Sequence, residues 1–132
     1  SEIEYIKDFM LSYLVSNGIK SKIYFIFNKL SDEQINILYN ISDCFLSISS
    51  GEGFGYPFLE ASLAGLPILA LEHSAYTEFV KVTPIEYTFE FVPSKILKKY
   101  SYWYVPGQKI FPVADEDDFI KKVKRMAYDK DY

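Results

Sequence analysis

The 132-residue sequence predicts an α/β fold, a parallel, doubly wound sheet with flanking helices. Three observations carry that reading. Short, β-branched apolar runs alternate with segments of helical periodicity. Helix start and stop residues fall between them. Composition is globular, with 49% hydrophobic and 24% charged residues, and the length suits one domain with a core better than two.

The elements follow in order. Ile3, Ile6, Phe9, Met10, Tyr13 and Leu14 recur at helical spacing over 2–17, and Asn17-Gly18 supplies the stop. "KIYFIF", 22–27, is apolar and aromatic, as expected of a strand covered on both faces. Ser31 with Gln34 fits a capping box ahead of the stripe Ile35, Leu38 and Tyr39. "DCFLSIS", 43–49, reads as a short buried strand. A helix follows from Pro57, suited to a first turn, and stops at Gly65. "LPILAL", 66–71, is a further buried strand. Residues 81–113, holding Pro84, Pro93, Pro106 and Pro112, read as irregular with one short strand near 87–92. The last helix begins acidic and ends basic, in keeping with the helix dipole. Phe119, Ile120, Val123, Met126 and Ala127 mark its buried stripe, and Lys121, Lys122, Lys124 and Arg125 its solvated face.

Composition narrows the partners. A net charge of −4 offers nucleic acid no general attraction, so none is expected as a partner. Cys44, alone in an apolar run, reads as a small hydrophobe in an intracellular chain. One histidine, His73, leaves little for a metal site, and none is expected. No apolar run approaches the roughly 20 residues that span a bilayer, and the expected location is cytoplasmic. Tyr100, Tyr102, Trp103 and Tyr104, beside Lys95, Lys98 and Lys99, could form a lip for peripheral contact with the membrane's cytoplasmic face. Loop packing is the first reading of these residues and the lip the second. The 12 Tyr and 11 Phe read as packing residues before ligand-stacking ones.

"SSGEGFGYPFLEASLAGLP", 49–67, is the stretch that carries chemistry. It joins a strand to a helix, at the carboxyl edge where open α/β sheets bind ligands. Gly53 and Gly55 uncover backbone N–H groups for a close-approaching anion or hydroxyl. Glu52 in the loop and Glu60 about one turn into the helix can accept hydrogen bonds from vicinal hydroxyls without a metal. A plain glycine turn before a helix-favouring glutamate is the other reading. The stretch is neither a P-loop nor the G-x-G-x-x-G dinucleotide fingerprint.

Residues 30–80 resemble the C-terminal, Rossmann-like donor-binding domain of retaining GT-B glycosyltransferases of the family 4 type. The matching positions are Asp43, Ser49, Glu52, Gly53, Phe54, Gly55, Pro57, Glu60-Ala61, Gly65 with Pro67, and Glu78. "FPVADEDDFIKKV", 111–123, is similar in order and spacing. The resemblance implies transfer of a hexose from a UDP-, GDP- or ADP-linked donor to a glycan, lipid or protein acceptor, with retention through front-face attack. It gives Glu52 the catalytic place and has it hold the transferred sugar together with the loop of Gly53, Phe54 and Gly55. Glu60 would bind the ribose, and Ser49 and the start of the 57–64 helix would lie near the phosphates. No metal or other cofactor is implied, because basic side chains stabilise the departing diphosphate.

Two departures shape further expectations. The family's diphosphate-binding arginine and lysine belong to elements before this chain's first helix, so 1–132 is read as a single, incomplete domain of a longer protein. That protein's N-terminal acceptor domain is missing here, and the fragment alone is expected to be inactive. The missing strands would sit between 22–27 and 43–49, leaving open edges for re-pairing or self-association. "HSAY", 73–76, stands where the family is glycine-rich, and His73 is either a phosphate contact or a capping or surface residue. The rival readings are a non-catalytic nucleotide-binding or oligomerisation module and a sugar-nucleotide epimerase, whose own acid and base residues are not apparent.

Overall fold

A computed structural model describes residues 2–16, 18, 22–92 and 109–129. The chain forms two compact units, Ser1–Ser31 and Asp32–Tyr132. In the first, helix α1 covers Glu2–Ser16. Gly18 ends it as expected, at φ 64° with its N–H donating to the Val15 carbonyl at 3.1 Å. The strand expected over 22–27 does not form. Among the described residues this unit holds no second strand, and β-branched and aromatic residues make a strand only where a ladder partner exists. Phe25 and Phe27 instead stack with ring centroids 6.0 Å apart and planes 11° from parallel.

The second unit runs through α2 (Asp32–Asn40), β1 (Phe45–Ser47), α3 (Tyr56–Leu63), β2 (Ile68–Leu71), a 3₁₀ turn (Ala75–Glu78), β3 (Thr83–Ile85), β4 (Tyr87–Val92), β5 (Lys109–Ala114) and α4 (Glu116–Tyr128). A three-stranded parallel sheet in the order β1-β2-β3, flanked by helices, bears out the predicted α/β, Rossmann-like fold. Central β2 is buried on both faces, and its alternation divides the core. Ile68 and Ala70 pack with Phe58, Ala61, Tyr76, Val80 and Val82. Leu69 and Leu71 pack with Ile85 on the other side, where Phe119, Val123 and Met126 cover them. Each fully buried leucine or isoleucine contributes roughly 1.5–3 kcal/mol.

Helix α3 begins after Gly55, which takes a left-handed φ of 81°, with Pro57 in its first turn. It ends in a Schellman motif. Gly65 at φ 77° donates to the Ser62 carbonyl, and Leu66 N–H donates to the Ala61 carbonyl, both at 3.0 Å.

Three expectations need correction. The stripe on α4 is narrower than predicted, since Ile120 and Ala127 are exposed. Phe119, Val123 and Met126 already form the i, i+4, i+7 line that covers Leu69, Leu71 and Ile85. Thr83–Ile85 is a strand, parallel to β2 and running through Pro84. Lys109–Ala114 is another, antiparallel to β4 with Pro112 opposite Phe89. Both prolines occupy edge strands, where a missing N–H need not break a ladder. The aromatic lip at 100–104 lies outside the described residues, and among those described no helix is long and apolar enough to cross a membrane.

Residue 86 marks where the chain leaves the parallel sheet. The Glu86 carbonyl accepts from Asp115 N–H at 2.7 Å, and Glu86 N–H donates to Asp118 Oδ2 at 2.8 Å. Asp115 is also the N-cap of α4, accepting from Asp118 N–H at 2.8 Å. Replacing it in Asp115→Ala should cost about 1 kcal/mol in a urea titration.

The Asp118 carboxyl is held below the usual aspartate range, first by the Glu86 N–H and then by Lys122 Nζ at 2.7 Å. Depression in the folded state means that this stabilisation is complete above the unfolded value of roughly 3.9 and is lost as pH falls through the lower folded value. Asp118→Asn should therefore lower the thermal midpoint at neutral pH, and its deficit should close in acid, once Asp118 is protonated in the folded state as well. An equal deficit at both pH values would refute the electrostatic account.

Candidate functional site

The loops after β1 and β2 leave the carboxyl end of the parallel sheet and are joined there by hydrogen bonds. His73 Nε2 lies 2.8 Å from the Ser49 carbonyl oxygen, and Ser74 Oγ lies 2.6 Å from His73 Nδ1. Glu52 N–H donates to Ser74 Oγ at 3.4 Å. Ser49 Oγ donates to the Gly51 carbonyl at 3.1 Å, tightening the start of the loop. The His73 ring is held edge-on by Tyr76 and Tyr87, at 6.2 and 5.9 Å between centroids.

The two glycines of the motif do different work. Gly55 is buried, and a Cβ there would lie 3.0 Å from Tyr76 Cβ and 3.4 Å from Phe58 Cδ2. Its φ of 81° is also a conformation that side chains rarely adopt. Gly53 is exposed, and a Cβ there would meet nothing within 4 Å. Phe54 between them stacks on Phe79 at 4.8 Å and 21°, and leans on Tyr56 at 4.9 Å and 45°.

Glu60 occupies a separate pocket. Tyr39 Oη donates to Glu60 Oε2 at 3.1 Å and lies 3.3 Å from the Pro57 carbonyl oxygen. Burial first, and the Glu60 carboxylate second, push the Tyr39 hydroxyl up to about 12. It therefore stays a donor across the physiological range. Both residues line a cavity of about 500 Å³ between α2 and α3, with Asp32, Asn36 and Asn40 adding polar groups.

The structure thus brings Ser49 and Glu52 together with His73 and Ser74, and Glu60 together with Tyr39. Glu52 does not line the Glu60 cavity. Two of these partners, Tyr39 and Ser74, carry no functional signal in the sequence. Tyr39 sat on a helical stripe that reads as core. His73 had two open roles, and Ser74 had no signal beyond standing in a segment that is glycine-rich in the resembling family.

A parallel α/β sheet whose loops meet at its carboxyl edge has the layout in which open α/β domains bind ligands. Residues 7–92 match the family described as Glycosyl transferases group 1, and the chain belongs to that family. Membership implies a nucleotide-sugar donor and an acceptor. No curated protein and no solved structure matches the chain.

The contrast between the glycines is testable by urea unfolding. Gly55→Ala should lose roughly 1–2 kcal/mol from the left-handed backbone alone, and more from the approach to Tyr76. Gly53→Ala should stay within about 0.5 kcal/mol of the parent.

Proposed function

We propose that this chain is the donor-binding part of a retaining GT-B glycosyltransferase that takes a UDP-, GDP- or ADP-linked sugar without a metal. The observation that carries the reading is that one strand-to-helix connection, from β1 to α3, supplies both carboxylates: Glu52 at the sheet edge and Glu60 a turn into the helix. In this reading Glu60 takes the ribose. With Oε2 accepting from Tyr39, its other oxygen and remaining lone pairs are left to accept from two vicinal hydroxyls.

Glu52 and the Gly53–Gly55 loop take the transferred hexose, and Ser49 and the α3 N-terminus lie toward the diphosphate. The acceptor oxygen bonds the anomeric carbon on the face from which the diphosphate leaves, as the anomeric carbon's bond to the diphosphate oxygen breaks and that oxygen takes the acceptor's hydroxyl proton. Stabilising that departing anion is the electrostatic task, and it falls to basic side chains.

Calorimetric titration of the full-length protein with UDP-, GDP- and ADP-sugars tests the assignment. One nucleotide class should bind. Glu60→Ala should weaken it at least about tenfold, and Tyr39→Phe about fivefold, through the lost hydrogen bonds. Glu52→Gln should erase the preference for the nucleotide sugar over the free nucleoside diphosphate. The Tyr39 contribution should be flat up to about pH 9, since its hydroxyl ionises only near 12. A folded protein that binds none of the three classes overturns the reading.

A further inference from the structure

We propose that His73 and Ser74 are positioning residues that clamp the Glu52 loop to the end of β2 in the form that receives the donor's sugar. The inference rests on the donor-site reading above. Its starting point is the backbone. Ser74, at φ 70° and ψ 179°, has the only positive φ of any non-glycine among the described residues. A side chain kept in that glycine-like conformation must be over-determined by its surroundings. Here it is held from both ends. Thr77 N–H and Thr77 Oγ1 both donate to the Ser74 carbonyl, at 3.3 and 2.8 Å. The hydroxyl is held by His73 and by the Glu52 amide.

Proton placement in this chain has one consistent solution for a neutral ring. The Ser49 carbonyl can only accept, so His73 Nε2 carries the proton and donates to it. Nδ1 is then a lone pair, and it accepts from the Ser74 O–H at 2.6 Å. The Ser74 oxygen, with its proton directed to the ring, presents a lone pair to Glu52 N–H. Every donor meets an acceptor from Glu52 to Ser49, and both ends of the chain lie in the loop after β1. The dyad comes from the loop after β2, so it closes two connections into one unit. The Tyr76 and Tyr87 rings hold the imidazole plane from its edges. The clamp acts on Glu52 and not on Glu60, whose carboxylate is set by Tyr39 on another pocket.

Separating the two carboxylates makes the proposal testable in the full-length protein. Affinity is measured for a nucleotide sugar and for its free nucleoside diphosphate, together with the thermal midpoint and the exchange rate of the Glu52 amide. Ser74→Gly relieves the backbone and removes the hydroxyl. The midpoint should rise, Glu52 amide exchange should speed up, and the preference for the sugar-bearing ligand should fall about tenfold at unchanged diphosphate affinity. Ser74→Ala should lose the same preference without the rise in midpoint. His73→Phe keeps the ring packing and should behave like Ser74→Ala, while His73→Gln, which retains a donor toward Ser49, should recover part of the preference.

Opposite movement of stability and sugar preference in Ser74→Gly is something a merely structural contact would not produce. Unchanged preference and unchanged Glu52 exchange in Ser74→Gly and His73→Phe overturn the clamp. A parent protein that binds no nucleotide overturns the donor reading instead, and the amide exchange still decides whether the dyad holds the loop.

Discussion

The seating of Tyr76 on Phe58 above Gly55 is the contact on which the rest of the site depends. The two rings are nearly parallel, 3.8 Å apart with planes 8° from each other, and both residues are buried. A buried tyrosine is stable only if its hydroxyl finds an acceptor, and here it donates to the Leu71 carbonyl at the last residue of β2. One side chain therefore links the 3₁₀ turn to α3 and to the central strand. It also restricts what the motif may contain, since a Cβ at residue 55 would lie 3.0 Å from Tyr76 Cβ and 3.3 Å from its Cδ1. The loop that carries Glu52 is held between this packed end and the polar clamp at His73 and Ser74. Its geometry is thus a consequence of the core as much as of its own sequence.

Legibility in the sequence followed the range of the interactions. Local signals were reliable: Pro57 and Gly65 bracket α3, an acidic start marks the first turn of α4, and the apolar run at 68–71 is the strand buried on both faces. Signals that need a distant partner were not. "KIYFIF" has strand composition, yet the described residues of the unit that holds it offer no ladder, while Pro84 and Pro112 disguised strands that edge positions allow. The site divides in the same way. Glu52 and Glu60 stand out because their spacing is written in a single connection. Tyr39 lies 21 residues from Glu60, and Ser74 lies 22 from Glu52, so only the folded chain pairs them.

Residues 55 and 74 pose the same backbone problem and solve it differently. Both have positive φ, and both lie where the loops meet. At 55 a side chain would be strained by the left-handed backbone and crowded by Tyr76 and Phe58, so glycine is favoured on both counts. At 74 the backbone again suits glycine, and a serine there carries a cost of order 1–3 kcal/mol. That cost is of the size of one buried leucine's contribution, which a core divided by β2 into two apolar clusters can offset. What the serine adds is a hydroxyl able to donate to His73 and accept from Glu52 at once, which glycine cannot supply. A strained residue tied to a candidate binding loop is where stability and function are expected to diverge. The same core that favours glycine at 55 is what lets Ser74 remain where it is.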